Sequence, residues 1–262
     1  MNSSNRIDGR LYDQMRKFRL VPDFQTHPLA SVLAECGKTK VICAVSCEPG
    51  VPAWMRAQGV SGGWLTCEYS LLPSSGNTRV QREAVHGKQS GRTMEIQRLI
   101  GRSLRSIINL EALGQHTLYV DCDVIDADGG TRCTAISGAC CALQIAVRKL
   151  MKAKKISSNP IRENIGAVSV GMFGDDVLLD LCYEEDSNAD VDMNVVMTES
   201  GKFSEVQGTA EGMPFDKNTL DSMLSLAQNG LQAIFKEQNR VLERYPIPFT
   251  GTLSDALSKL QL

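Results

Sequence analysis

The chain reads as an α/β (α+β) protein built from two βα-type halves, about 15–155 and 160–240. Three observations predict this. In Thr117–Val124, Leu118, Val120, Cys122 and Val124 alternate with Tyr119, Asp121 and Asp123, the period of a strand buried on one face. That strand runs into Asp128-Gly-Gly-Thr-Arg132, and a small-residue, apolar run with helical spacing follows from Ala135 to Leu150. After Ser157-Ser-Asn-Pro160 the same order recurs, strands first and then one long helix, with no sequence repeat to accompany it.

Taken in order, residues 1–10 are polar and read as loose. Strands are expected over 31–37 and 39–46, separated by hairpin punctuation at Gly37-Lys38. Residues 49–64 are rich in Gly and Pro and read as a loop, and 65–72 as a strand. Ser90-Gly91 signals the start of a helix over 92–113, whose apolar stripe includes Ile96, Leu99, Ile100, Leu104 and Ile107. Arg98, Arg102 and Arg105 share another face. In the second half, 164–171, 177–183, 192–198 and 203–207 read as strands and 216–240 as the last helix. A separate tail is expected over 241–262.

At 262 residues, 42% hydrophobic and 22% charged, the composition is that of a soluble globular protein with an ample core. The first ten residues lack the apolar core of a signal peptide, and no apolar run reads as a membrane span. The nine cysteines contain no Cys-x-x-Cys pair, so they read as reduced small hydrophobes of a cytoplasmic protein rather than a zinc site. A net charge of −2 argues against a uniformly basic nucleic-acid coat. The distribution is more telling. Seven basic residues (Arg79, Arg82, Lys88, Arg92, Arg98, Arg102, Arg105) crowd 79–105 against Glu83 and Glu95. Eight acidic residues, among them Asp180, Glu185, Asp186, Asp190 and Asp192, crowd 175–192 with no basic one. Such blocks are either solvated faces or the two halves of one site.

The turn at 128–132 has the chemistry of an anion site. Backbone N–H groups at a helix start lack internal partners, and the helix dipole favours negative charge there. Gly129 and Gly130 permit close approach of the main chain, and Arg132 adds a planar cationic fork. A glycine turn before a helix is also often only a turn. His27, His86 and His116 lie far apart without ligand spacing, and Ser90 and Ser137 carry no triad signal.

Four blocks resemble one family, ribonuclease PH, a phosphate-dependent 3′-to-5′ exoribonuclease. They are Ser90-Gly-Arg-Thr-Met-Glu-Ile-Gln-Arg-Leu-Ile-Gly-Arg-Ser-Leu-Arg105, Asp121-Cys-Asp-Val-Ile-Asp-Ala-Asp-Gly-Gly-Thr-Arg132, Glu185-Asp-Ser-Asn-Ala-Asp-Val-Asp-Met-Asn-Val-Val-Met197 and Glu205-Val-Gln-Gly-Thr-Ala-Glu-Gly212. They lie in colinear order within about 15–240. The resemblance implies the ribonuclease PH fold and a homo-hexameric ring, a trimer of dimers. It also implies phosphate binding by Arg92, Gly130, Thr131 and Arg132, with Asp186 and Asp192 as the catalytic pair. Inorganic phosphate would be the co-substrate, and Asp186 and Asp192 are the candidates to share a Mg²⁺.

The substrates implied are tRNA precursors and other RNA 3′ ends, including rRNA, with no DNA and no membrane. Arg79, Arg82, Arg98, Arg102 and Arg105 are expected to serve RNA binding or assembly, alongside helix solubility. The chain departs from the family pattern at Ser74, where an arginine is usual, at Cys182 for an aspartate and at Cys133 for a threonine. Two other readings compete: a catalytically silent RNA-binding ring subunit of an exosome-like complex, and a two-metal hydrolase. The four residues Arg92, Arg132, Asp186 and Asp192 together argue against the first. An arginine-lined anion site argues against the second, because water as the nucleophile would not need it.

Overall fold

A computed structural model describes residues 6–248. The first half is a five-stranded sheet in the order β1-β2-β3-β5-β4. Strands β1 (Phe18–Pro22), β2 (Ala30–Cys36) and β3 (Thr39–Pro49) form an antiparallel meander, and Cys36 pairs with Thr39 across the two-residue hairpin Gly37-Lys38. β4 (Trp64–Leu71) pairs parallel to β5 (His116–Asp126). That arrangement requires a crossover, and α2 (Gly91–Ser106) supplies it by packing on β4. The second half is an antiparallel sheet in the order β7-β6-β8-β9. Its strands are β6 (Ile165–Phe173), β7 (Asp176–Leu179), β8 (Val191–Thr198) and β9 (Phe203–Ala210).

Two long helices bind the sheets together. α3 (Thr131–Lys152) lies on β2 and β3 with one side and on β6 with the other. A helix embedded on all sides must be apolar on all sides, and this one is long and apolar enough to cross a membrane by length and composition alone. Its burial between the sheets accounts for that composition. Small residues allow the approach: a Cβ on Gly138 would come within 2.6 Å of the Ala34 Cβ and 2.8 Å of the Cys43 Sγ. α5 (Lys217–Leu242) is amphipathic instead. Asp216 caps it by accepting from the Thr219 N–H at 2.8 Å, and Met223, Ala227, Leu231, Ile234 and Phe235 face the second sheet.

The structure corrects several expectations. Residues 49–64 contain a one-and-a-half-turn helix, α1 (Ala53–Gln58), behind the helix-compatible Pro52. The helix expected to 113 stops at Ser106, because Ile107 and Ile108 are drawn into the core and Ile108 bridges to Ile161. The strand expected to 183 stops at Leu179, where Asp180 takes a positive φ of 54°, and Tyr183 opens a short helix, α4 (Tyr183–Asp186). β9 runs on to Ala210. Residues 6–10 are not loose: Arg6 and Arg10 are both buried. At the other end α5 carries Val241 and Leu242 into the core, and the carbonyls of Leu242 and Tyr245 accept from Arg148. The expected tail lies outside the described residues from 249 onward.

Gly138 supplies a direct check on this packing. Its neighbours are a β-carbon and a sulfur held on strands, which cannot swing aside as a long side chain would. Gly138→Ala should therefore lower stability by about 1–3 kcal/mol, the usual cost of overpacking. The expected readout is a lower urea midpoint at unchanged m-value.

Candidate functional site

The site begins where β5 ends. Gly129 and Gly130 take φ of 75° and 65°, and Gly130 caps the start of α3. A Cβ on Gly129 would come within 2.5 Å of the Leu181 carbonyl oxygen and 2.6 Å of the Cys182 carbonyl carbon. Only glycine fits, for conformation and for space alike. The glycine turn of the first half is thus pressed against the segment of the second half that leads into α4.

A cleft of about 340 Å³ opens at this contact. Arg92, Gly130, Thr131, Arg132, Asp186 and Asp192 all line it, so one cavity brings together every residue implicated in phosphate binding and catalysis. α2 supplies Arg92, its second residue, behind the N-cap Ser90, whose Oγ accepts from the Thr93 N–H at 3.1 Å. α3 supplies Thr131 and Arg132 in its first turn. The Thr131 hydroxyl lies 2.8 Å from the hydroxyl of the buried Tyr69. Asp186 ends α4, and Asp192 lies in β8 with Asn194 two residues on, both on the cleft side. Asp190 accepts from the Gly174 N–H at 2.7 Å and caps the β6–β7 turn.

Arg132 is held from both halves. Its Nη1 donates to Gln207 Oε1 of β9 at 2.9 Å and to Glu95 Oε1 of α2 at 3.2 Å, and Gln207 Nε2 donates to the same Glu95 oxygen at 2.8 Å. Arg92 is exposed to solvent and lies in no ion pair among the described residues. The acidic side is tuned in a matching way. Burial against the cleft wall, and then the Asp192 carboxylate, push Asp186 above the ordinary aspartate range, against the opposing pull of Arg132, Arg92 and Arg16. Behind them Cys133 donates to Asn194 Oδ1 at 3.1 Å, and burial pushes its thiol up to about 12. It is a neutral packing group, not a nucleophile.

The N-terminal segment fixes this geometry from behind. Arg16 places N–H and Nε on Asp180 Oδ2 at 2.8 and 2.9 Å and Nη2 on Oδ1 at 2.7 Å. The same guanidinium donates to the carbonyl of Asp128 and to that of Leu181, so it grips the glycine turn and the second half at once. Arg6 pairs bidentately with Glu185, Nε to Oε1 at 2.8 Å and Nη2 to Oε2 at 2.7 Å. Glu185 Oε2 also accepts from the Cys182 N–H at 3.0 Å, tying the first turn of α4 beside Asp186. Burial works against ionisation of both carboxylates, but Arg16 and Arg10 for Asp180, and Arg6 for Glu185, outweigh it and hold both below the ordinary range. These partners were not foreseen. The readable signal was three arginines in the first sixteen residues set against the acidic block at 180–185.

The remaining basic candidates divide. Arg102 pairs with Glu205 at 2.8 Å, and Arg105 donates to the Leu65 carbonyl at 3.0 Å while lying over Trp64. Arg79, Arg82 and Arg98 are exposed. Arg82 and Lys88 flank a second groove of about 710 Å³ on the outer face of the first sheet, with Glu68, Asp121 and Asp123 at its floor. Burial, then Glu68, push Asp121 and Asp123 upward. Charge rather than volume distinguishes the two cavities. All nine cysteines are free, and among the described residues no group of three His, Cys, Asp or Glu could hold a metal. His27 and His116 lie away from the cleft.

Residues 14–149 match domain 1 of the 3′ exoribonuclease family, the RNase PH family, and residues 163–230 match its domain 2. Among solved structures, rice (Oryza sativa) Rrp46 superposes with a TM-score of 0.70 at 19% identity, over 91% of this chain and 100% of that one. A chain of the Archaeoglobus fulgidus exosome with RNA bound to the active site gives 0.72 at 20%, over 92% of each. A chain of an archaeal exosome core gives 0.71 at 21%, over 89% of this chain and 91% of that one. At these identities the superpositions establish the fold.

Arg16 and Asp180 have side chains only 6% and 4% exposed. Arg16→Met leaves Asp180 without its principal partner and should cost about 3–5 kcal/mol, measured by denaturant unfolding. The pH dependence has a defined sign. Asp180 and Glu185 are depressed from ordinary values of 3.8 and 4.5, so their stabilisation is full above about pH 4.5 and is lost as pH falls through the depressed values. The variant should show a shallower acid dependence than the wild type.

Proposed function

The chain belongs to the 3′ exoribonuclease family, and we propose that it is a phosphate-dependent 3′-to-5′ exoribonuclease that shortens RNA 3′ ends and releases nucleoside diphosphates. The observation that carries this reading is the meeting of Arg92 and Arg132 with Asp186 and Asp192 around a helix N-terminus in one cleft. Phosphorolysis brings an anionic nucleophile to an anionic diester, so their repulsion must first be neutralised. Arg92, Arg132 and the backbone N–H groups at Gly130 and Thr131 do this for the attacking phosphate.

A phosphate oxygen bonds to the phosphorus of the terminal nucleotide, and the bond from that phosphorus to the 3′ oxygen of the preceding nucleotide breaks. The departing oxygen needs a proton, and Asp186, shifted upward by burial and by Asp192, is the group suited to donate it. The nucleotide leaves as a diphosphate and the RNA ends one unit shorter with a free 3′ hydroxyl. In-line transfer of this kind depends on positioning, which a turn locked by Arg16 provides.

Two carboxylates facing a phosphate site also suit Mg²⁺, which takes few protein ligands and keeps waters and substrate oxygens. With both carboxyls ionised, Asp186 and Asp192 would hold it as an alternative to the protonated Asp186, and it would then neutralise charge on the departing and phosphoryl oxygens. tRNA precursors as the substrate, a homo-hexameric ring and a cytoplasmic location complete the proposal. Exposed Arg79, Arg82 and Arg98 are the residues available for RNA or neighbouring subunits. The fold likeness to exosome chains favours a second reading, a silent ring subunit in an exosome-like assembly. The complete set of cleft residues opposes it.

The deciding assay offers a tRNA with extra 3′ nucleotides to the purified protein with and without phosphate. Phosphate-dependent nucleoside diphosphates are expected. Asp186→Asn should slow their release by about 10²–10⁴-fold, and Arg132→Ala should chiefly raise the phosphate KM. Turnover should decline as pH rises through the elevated Asp186 value, since the protonated carboxyl is the active form. Monophosphates formed without phosphate would mean hydrolysis, and binding without turnover would mean a silent subunit.

A further inference from the structure

Ser75 stands apart from the residues so far given roles. It lines the same cleft as Arg92 and Arg132, yet it is only 4% exposed and its Oγ has no hydrogen-bond partner among the described residues. Its backbone is fully engaged. The Ser75 N–H donates to the Leu72 carbonyl at 3.0 Å, and its carbonyl accepts from the Ala127 N–H at 2.7 Å. The second bond attaches Ser75 to the strand-to-helix turn that carries Gly129 and Gly130. Ser75 is therefore anchored by its backbone at the wall of the cleft, and its hydroxyl has no partner among the described residues.

A buried hydroxyl without a partner is destabilising, and a native structure that keeps one calls for a reason. Neighbouring Ser74, Asn77 and Thr78 are exposed, so their polar groups are open to solvent. An apolar residue of the same size would suit the Ser75 position better if packing were its only duty. The surroundings define the chemistry of the missing partner: Arg92, Arg132 and the amides of a helix start select an acceptor carrying negative charge.

We propose that Ser75 is a substrate-binding residue whose hydroxyl donates to a phosphoryl oxygen in the cleft. The inference rests on the phosphorolytic reading of this cleft. Two sources supply that oxygen, the attacking inorganic phosphate and the scissile phosphate of the RNA, and binding to each is separable.

The test pairs stability with affinity in Ser75→Ala. Removing an unsatisfied buried hydroxyl should leave the melting temperature unchanged or raised. Affinity for a phosphoryl ligand should nevertheless fall roughly tenfold or more, the usual worth of a hydrogen bond to a charged acceptor. Affinity is read without turnover, by phosphorus NMR titration of inorganic phosphate in one arm and by fluorescence anisotropy of a short labelled RNA in the other. Weakening in the phosphate arm alone assigns Ser75 to the attacking phosphate, and in the RNA arm alone to the scissile one. Unchanged affinity in both arms, or a lowered melting temperature, overturns the role and makes Ser75 a packing residue. Phosphate-independent turnover by the wild type would instead overturn the phosphorolytic reading itself.

Discussion

Among the buried ion pairs that hold the N-terminal segment against the second half, Arg16 with Asp180 is the one that also grips the glycine turn, and the cleft depends on it. Three donors of Arg16 fall on the two Asp180 oxygens while the same guanidinium reaches the carbonyls of Asp128 and Leu181. Burying two charges is costly, and an apolar replacement is often as stable. What such a replacement would not supply is direction. A guanidinium fork fixes the angle and spacing of everything it touches, here the turn before α3 and the segment leading into α4. Gly129, with no room for a Cβ against Leu181 and Cys182, is the steric counterpart of the same constraint.

Rigidity on the other side of the cleft comes from α3. Because it is packed between β2 and β3 on one side and β6 on the other, its axis cannot shift without disturbing both cores. Its first turn carries Thr131 and Arg132 into the cleft. The N–H groups at this helix start are therefore anchored in a long helix buried along nearly its whole length, and Tyr69 ties Thr131 to β4 besides. α4 has only four residues and no comparable packing. It is steadied electrostatically instead, by Arg6 on Glu185.

What was legible in the sequence was local or periodic. The β5 alternation, the glycine turn and the apolar α3 each announce themselves within twenty residues, and each is in place. The family resemblance carried the six cleft residues, and one cavity gathers them all. Pairings between residues far apart in the chain were not legible. Arg6 and Glu185 are 179 positions apart, and nothing near residue 6 marks it as buried, so a polar N-terminus read as loose. The strand expected through Tyr183 fails for a related reason. Its apolar pattern is real, but Asp180 turns away at positive φ to meet Arg16, a tertiary demand overriding local pattern. Glu95 and Gln207 escaped notice because their partner, Arg132, already had a role.

The charges of the cleft are balanced so that binding and proton transfer support one another. Arg132, Arg92 and Arg16 pull the Asp186 proton affinity down, while burial and Asp192 push it up. On the proposed reading, an anion bound between Arg92 and Arg132 offsets the field of those two cations at Asp186, and its own charge acts in the same sense as Asp192. Both effects raise the proton affinity of Asp186. Occupation of the anion site therefore favours the protonated carboxyl that the leaving oxygen requires. By linkage, the protonated form in turn binds the anion more tightly. Glu95 limits the opposing effect in the empty cleft, since its carboxylate already takes up part of the Arg132 charge. On the proposed reading, an acid that takes up its proton mainly when phosphate is present needs no histidine, and among the described residues none lines the cleft.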